Sequence, residues 1–151
     1  MSFEPMPAIS GLEAGAESKV TLEVVIVVIN SQRFAFLLRD LVSVLRSKIT
    51  TLPGLNPVIA GLINVQGELV SVLELSLLLG LVETSSQDDC VLLVFGQYGK
   101  VGLRVPRLPE LETIDPGLLT TMLDHEGISQ GKIALLDLDQ VLPAPVLQNN
   151  V

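Results

Sequence analysis

Val58-Ile59-Ala60-Gly61-Leu62-Ile63-Asn64-Val65-Gln66-Gly67-Glu68-Leu69-Val70-Ser71-Val72-Leu73-Glu74-Leu75 is the stretch on which the fold turns. Ala60 to Val65 and Glu68 to Leu73 are short and rich in aliphatic and β-branched residues, the composition of strands. They flank Gln66-Gly67, and glycine supplies the positive φ that a tight hairpin needs. Leu75 to Leu81 then predicts a short helix ended by Gly80. Parts of this block return downstream. Gln130-Gly131 repeats Gln66-Gly67, and Leu135-Leu136-Asp137-Leu138 repeats Val72-Leu73-Glu74-Leu75. Upstream, Phe34-Ala35-Phe36-Leu37-Leu38 returns as Val101-Gly102-Leu103-Arg104-Val105, and all three offsets fall between 63 and 67 residues. Three blocks repeated in one order point to two related β units of about five strands each. Closing five short strands on themselves makes a small barrel and removes exposed strand edges.

The other elements fit this frame. Val20 to Ile29 predicts a strand, and its unbroken run Val24 to Ile29 predicts burial on both faces. Asn30-Ser31-Gln32 reads as a turn, and Phe34 to Leu38 as the next strand. Leu41 to Leu45 alternates as a further strand. In the second unit, Cys90 to Phe95 and Val101 to Val105 form a hairpin, and Leu108 to Ile114 is a strand interrupted by Pro109. Asp115-Pro116 is a helix start, with Asp as cap and Pro at the first position. Ile128 to Gln130 and Lys132 to Leu136 predict a second hairpin around Gln-Gly, and Asp139 a cap for a last helical turn. Residues 1–19 read as a flexible tail, residues 20–143 as the domain, and residues 144–151 as a C-terminal tail. Within the domain the units span about 20–83 and 90–143, joined by the polar linker Thr84 to Asp89.

Composition narrows the function. Apolar residues make up 48% of the 151, with 3% aromatic and no Trp, so the core is aliphatic. Such a chain has ample apolar surface to bury and is not disordered. Nine basic residues against seventeen acidic ones give a net charge of −8. That balance supplies no basic stripe for nucleic acid and would be repelled by an anionic membrane. The longest basic cluster is Arg33, Arg39, Arg46 and Lys48. No apolar run approaches the ~18–20 residues of a bilayer span. The N-terminus lacks the pattern of a signal peptide, and Cys90 is the only cysteine, so a cytoplasmic protein is expected.

Chemistry is sparse. His125 is the only histidine, in the polar turn Asp124-His125-Glu126-Gly127, with no second His or Cys at metal-ligand spacing. Cys90 follows Asp88 and Asp89, whose charges oppose thiolate formation. Asp137-Leu138-Asp139 could present two carboxylates on one strand face, as a small Asp-dependent phosphatase would require. No Gly-rich phosphate loop accompanies them, and a strand end with a helix cap is the simpler reading. The expectation is a protein that is not an enzyme and uses neither cofactor nor metal.

The block from Val58 to Leu75 resembles the signature segment of the CheW-like domain family, which runs apolar-x-Gly-apolar-apolar-Asn-apolar-Arg-Gly, then an apolar strand with Pro, then Asp-Leu. Phe34 to Leu41 resembles that family's first hairpin. Leu52-Pro53 with Asn56-Pro57 matches the loop before the signature, and Val101 to Val105 and Ile133 to Leu138 match the second half. The resemblance spans about residues 20–143. It implies a mainly β fold of two pseudo-repeated five-stranded SH3-like barrels sharing an apolar core, with few short helices. It also implies a non-catalytic adaptor of chemotaxis or a related chemosensory system. Its partners would be the regulatory domain of a CheA-type histidine kinase and the cytoplasmic tip of a chemoreceptor, with recruitment to membrane receptor arrays. A localisation or inhibitory partner in a pilus or motility pathway is the alternative on the same fold.

Partner binding is expected at Leu41, Ser43, Leu45, Asn64, Gln66 and Gly67, with Leu41 and Leu45 contributing if they face outward. The chain departs from the family pattern at several of its positions. Gln66 stands for Arg, Ser43 for a frequent Glu, Ser71 for Pro, Glu74 for Asp, and Pro106 for Asp. Two opposite charges replaced together by neutral residues suggest a lost ion pair, which predicts that Ser43 and Gln66 are neighbours.

Overall fold

The computed structural model describes residues 20–142 except 55, 82–89, 98 and 123. Both tails and the linker after the first unit lie outside the described residues. The elements follow in the order β1 (Leu22–Ile29), β2 (Gln32–Leu37), β3 (Leu41–Arg46), β4 (Ile59–Val65), β5 (Glu68–Glu74), α1 (Leu75–Leu78), β6 (Cys90–Gly96), β7 (Gly99–Val105), β8 (Glu110–Ile114), β9 (Leu119–Thr120), α2 (His125–Ser129), β10 (Ile133–Leu135) and α3 (Leu138–Val141). Short 3-10 turns cover Leu38–Asp40 and Pro116–Leu118.

The strands form two five-stranded sheets, ordered β9-β10-β2-β1-β8 and β4-β5-β7-β6-β3. The two orders are equivalent once the halves of the chain are exchanged. In each sheet the first hairpin of one half sits between strands of the other half. The parallel pairs that join the halves match as well. Val72 and Leu73 of β5 face Gly102 and Leu103 of β7, while Ala134 and Leu135 of β10 face Phe34 and Ala35 of β2. The duplication legible in the sequence is therefore built in space by reciprocal exchange of hairpins.

Apolar residues on both faces of the central strands explain why the exchange is stable. One cluster gathers Val25, Val27, Phe34 and Phe36 from the first sheet with Leu73, Leu92, Val94, Leu103 and Val105 from the second. This is the core shared between the sheets. The opposite strand faces build two further clusters. Val24, Ile26, Ala35, Ile114, Ile133 and the half-buried Leu119 draw on every strand of the first sheet. Leu45, Ile63, Val70, Val72, Val91 and Leu93 do the same for four strands of the second. The fifth strand, β7, supplies Gly102, whose missing Cβ would stand 2.8 Å from Val91 Cγ1 and 3.1 Å from Val72 Cγ2. Clusters fed by all strands of a sheet are the interiors of two small barrels. The run Val24 to Val27 is buried throughout, since one parity fills a barrel and the other the shared core.

Turn chemistry sets the registers. Asn30 and Ser31 both have positive φ, at 54° and 64°, the geometry of the two-residue turn that matches strand twist. Gly80 ends α1 at φ 74°, and the Leu81 N–H closes onto the Ser76 carbonyl at 2.8 Å. Asp115 caps the Pro116–Leu118 turn by accepting from the Gly117 N–H at 2.9 Å.

Three expectations need correction. Gln130-Gly131 is not a hairpin turn: it follows α2, and β10 runs parallel to both β9 and β2. Asp124 decides this by capping α2, accepting from the Gly127 N–H at 3.0 Å and from Thr120 Oγ1 at 2.9 Å. The cap of α3 is Asp137, which accepts from the Asp139 N–H at 3.1 Å, so Asp139 lies inside the helix. The strand read from Leu108 begins only at Glu110, after Pro109.

Candidate partner-binding surface

The tip of the β4–β5 hairpin is built around Asn64, Gln66 and Gly67. Gln66 and Gly67 take φ of 54° and 87°, and the Gly67 N–H donates to Asn64 Oδ1 at 2.8 Å. Asn64 therefore braces the turn. The Asn-x-x-Gly spacing in the signature is a requirement of this geometry, because a side-chain amide three residues back reaches the glycine N–H. The brace leaves Asn64, Gln66, Gly67 and Glu68 exposed. Leu69, directly across from Asn64, is 67% exposed. Lys100 of the neighbouring β7 approaches Glu68 at 3.8 Å, an exposed ion pair of small energetic weight.

Strand β3 carries the other three predicted residues. Its burial alternates, with Leu41, Ser43 and Leu45 half-buried and Val42, Val44 and Arg46 exposed. Leu41 packs on the shared core and Leu45 on the interior of the second barrel. They reach different clusters because the register shifts between Leu41 and Ser43. Neither faces outward, so the condition attached to Leu41 and Leu45 fails. The outward apolar residues of this strand are Val42 and Val44.

Ser43 and Gln66 are not brought together. Ser43 is opposite Leu93 on the inward-facing parity of β3. Gln66 is on the solvent-exposed turn between β4 and β5. No hydrogen bond joins their side chains among the described residues. The expectation of a lost ion pair between them is set aside: one position faces a barrel interior and the other water.

Glu74, at the Asp position of the family pattern, is buried. It accepts from Ser76 Oγ at 3.3 Å and lies 4.0 Å from Arg104 Nε, its register partner on β7. That places a carboxylate and a guanidinium across the parallel seam between the halves of the chain. Asp137, its counterpart in the second half, is committed to capping α3. Asp40, Asp137 and Asp139 line a shallow depression with Phe95, Gly96 and Gln97. No group of three or more His, Cys, Asp or Glu residues with metal-binding geometry occurs among the described residues. Cys90 is fully buried in the shared core. The Asp124 carboxyl is held below its usual pKa of 3.8, first by the Gly127 N–H and then by Thr120, as befits a cap. Among the described residues no helix is long and apolar enough to cross a membrane.

Sequence reasoning missed the exposed apolar residues Val42, Val44, Leu69, Phe95 and Leu111. Val42, Val44, Leu69 and Phe95 each have an apolar residue next to them at the other parity, so alternation gives no warning of which one faces water, while Leu111 stands exposed between Glu110 and Glu112.

Two small barrels display apolar residues on their outer strands, and the conspicuous polar side chains serve as caps and turn braces. The family model for the CheW-like domain matches residues 23–143, and the chain belongs to that family. Its fold is similar to that of the scaffolding protein TtCheW from Thermoanaerobacter tengcongensis, with a TM-score of 0.68 at 21% identity. The similarity covers 84% of this chain and 96% of that one. No curated protein sequence matches this chain significantly. Membership of the CheW-like domain family places the chain among chemotaxis-type scaffold and adaptor proteins.

Proposed function

We propose that this chain is a non-catalytic adaptor that links chemoreceptor tips to the regulatory domain of a CheA-type histidine kinase. The observation that carries the reading is the family match over residues 23–143, which takes in both barrels and all the exposed apolar positions discussed above. Bridging needs two separate faces, and the two sheets supply them. Val42 and Val44 stand on an edge strand of one sheet and Leu111 on an edge strand of the other. The braced hairpin tip at Gln66 offers a third, polar contact point. Work at such a surface is done by burial of a few apolar anchors surrounded by polar rim residues.

The experiment is reconstitution with a kinase regulatory domain and a receptor cytoplasmic fragment. Co-purification with both, and receptor-dependent stimulation of phosphotransfer, are the expected results. Absence of binding to either partner would refute the adaptor reading. Binding to the kinase with suppressed phosphotransfer would instead support an inhibitory or localising role, which the replacement of Arg by Gln66 at the exposed turn favours. Gln66→Arg tests that directly: gain of receptor coupling would show that this position sets partner choice.

A further inference from the structure

Neither half of this chain contains a barrel. The first barrel takes β1 and β2 from the half before the connection at 82–89, and β8, β9 and β10 from the half after it. The second takes β3, β4 and β5 from the first half, and β6 and β7 from the second. The interiors are divided in the same way. Val24, Ile26 and Ala35 meet Ile114 and Ile133 in one, while Ile63, Val70 and Val72 meet Val91 and Leu93 in the other. A half on its own would leave these apolar faces in water. The complementary half covers them, and none of the contacts requires that it belong to the same chain.

The seams decide which halves fit. Glu74 is buried and faces Arg104 of β7 in register, its Oε1 4.0 Å from Nε. The repeat offsets of 63 and 67 put Asp137 and Leu37 at the matching places of the other seam. There the carboxylate is exposed and caps α3, and its counterpart is a leucine. Two first halves joined to each other would set the buried Glu74 against Leu37, a carboxylate taken out of water with no cation opposite. A first half joined to a second half restores the pair. An ion pair at one seam and not at the other thus makes the pairing of two related units selective.

We infer that two copies of this chain exchange halves: the first half of each closes both barrels with the second half of the other, giving a two-fold dimer with the contacts of the monomer. The connection from Leu81 to Cys90 can reach about 30 Å when extended, enough to pass between adjacent units. Because the contacts are the same, concentration during folding decides between the two forms. A short connection holds its own half at an effective concentration on the order of 1 mM, so the monomer prevails at ~10 µM and the exchanged dimer appears as the protein approaches ~1 mM. Conversion afterwards requires both barrels to open, so its rate is that of unfolding. The exchange uses the buried seams rather than any exposed strand edge, and it is independent of receptor and kinase binding.

Charge reversal across the seam tests this on the full chain, refolded from guanidinium chloride at about 10 µM, where the wild type is monomeric. Native mass spectrometry distinguishes the species. Glu74→Arg alone places two guanidiniums at the seam, and Arg104→Glu alone places two carboxylates there, in monomer and homodimer alike. Refolded together in equal amounts, the two variants escape both clashes only as the exchanged heterodimer. One of its units carries the wild-type pair, and the other sets the two substituted residues against each other. A heterodimer in roughly tenfold or greater excess over either homodimer is expected. Wild type refolded with Glu74→Arg should give no such excess, since one exchanged unit would still hold the clash. Variants that stay separate after co-refolding would overturn the inference. So would equal heterodimer yields from the two mixtures, which would mean a surface contact indifferent to the buried pair. Where either variant is unfolded alone, circular dichroism reads the same outcome: signal regained on co-refolding supports exchange, and a mixture as unfolded as its parts overturns it.

Discussion

Replacing Gly61 by Ala tests the closest backbone approach in the second barrel. Gly61 has φ of 150°, and a Cβ there would overlap the Thr50 carbonyl oxygen outright and stand 2.8 Å from Thr50 C and Ile49 Cγ2. Thr50 belongs to the connection between β3 and β4, tied back onto β4 by two hydrogen bonds with Leu62, each 2.9 Å. An alanine must push this backbone away. The net loss is about 1 kcal/mol for each of the two hydrogen bonds. Holding a non-glycine residue at that φ adds on the order of 1–3 kcal/mol. The expected total is roughly 3–5 kcal/mol by adding those two contributions. In thermal melts followed by circular dichroism this corresponds to a fall in Tm on the order of 10 °C. Gly67→Ala is the control. It also has positive φ, at 87°, but nothing lies within 4 Å of its Cβ position. Its expected cost is only the left-handed backbone term of about 1–2 kcal/mol. Equal losses for the two variants would refute the close-approach argument, because conformational freedom alone would then explain both.

Leu45→Asp should cost about 3 kcal/mol or more in urea unfolding, since it sets a carboxylate among the barrel residues Ile63, Val70 and Leu93. Val44→Asp, one residue earlier on the exposed parity, should stay within about 1 kcal/mol; the reverse order would invert the face assignment of β3. Gly102→Ala fills space already held by Val91 and Val72 and should cost about 1–3 kcal/mol by overpacking, measured the same way. Asp124 has a folded-state pKa below its ordinary 3.8. Its stabilising contribution is therefore complete above that value and lost as pH falls through the folded pKa. Asp124→Ala should lower Tm at neutral pH and converge with wild type in strong acid; a constant difference across pH would show that the carboxylate charge is irrelevant to the cap.

The sequence alone determined much of the fold. The unbroken aliphatic run Val24 to Ile29 reads as a central strand, and all of it but the half-buried Val28 is buried; Asn30-Ser31 and Gln66-Gly67 specify turns through local φ preferences. The repeat offsets near 63–67 announced two equivalent units, and the segment from Val58 to Leu75 carried the family likeness. Asn64 was picked out from that segment, although only its bond to the Gly67 N–H shows that it braces the turn. Other features required the tertiary structure, because they depend on contacts between residues distant in the chain. The exchange of hairpins between halves leaves no local trace, since a strand has the same composition whichever parallel neighbour it pairs with. The second Gln-Gly copies the turn residues of the first, yet Asp124 and Thr120 organise a helix ahead of it. The inward direction of Leu41 and Leu45 follows from a register shift against β6, and in a strand with apolar residues at both parities only that pairing decides which ones meet water.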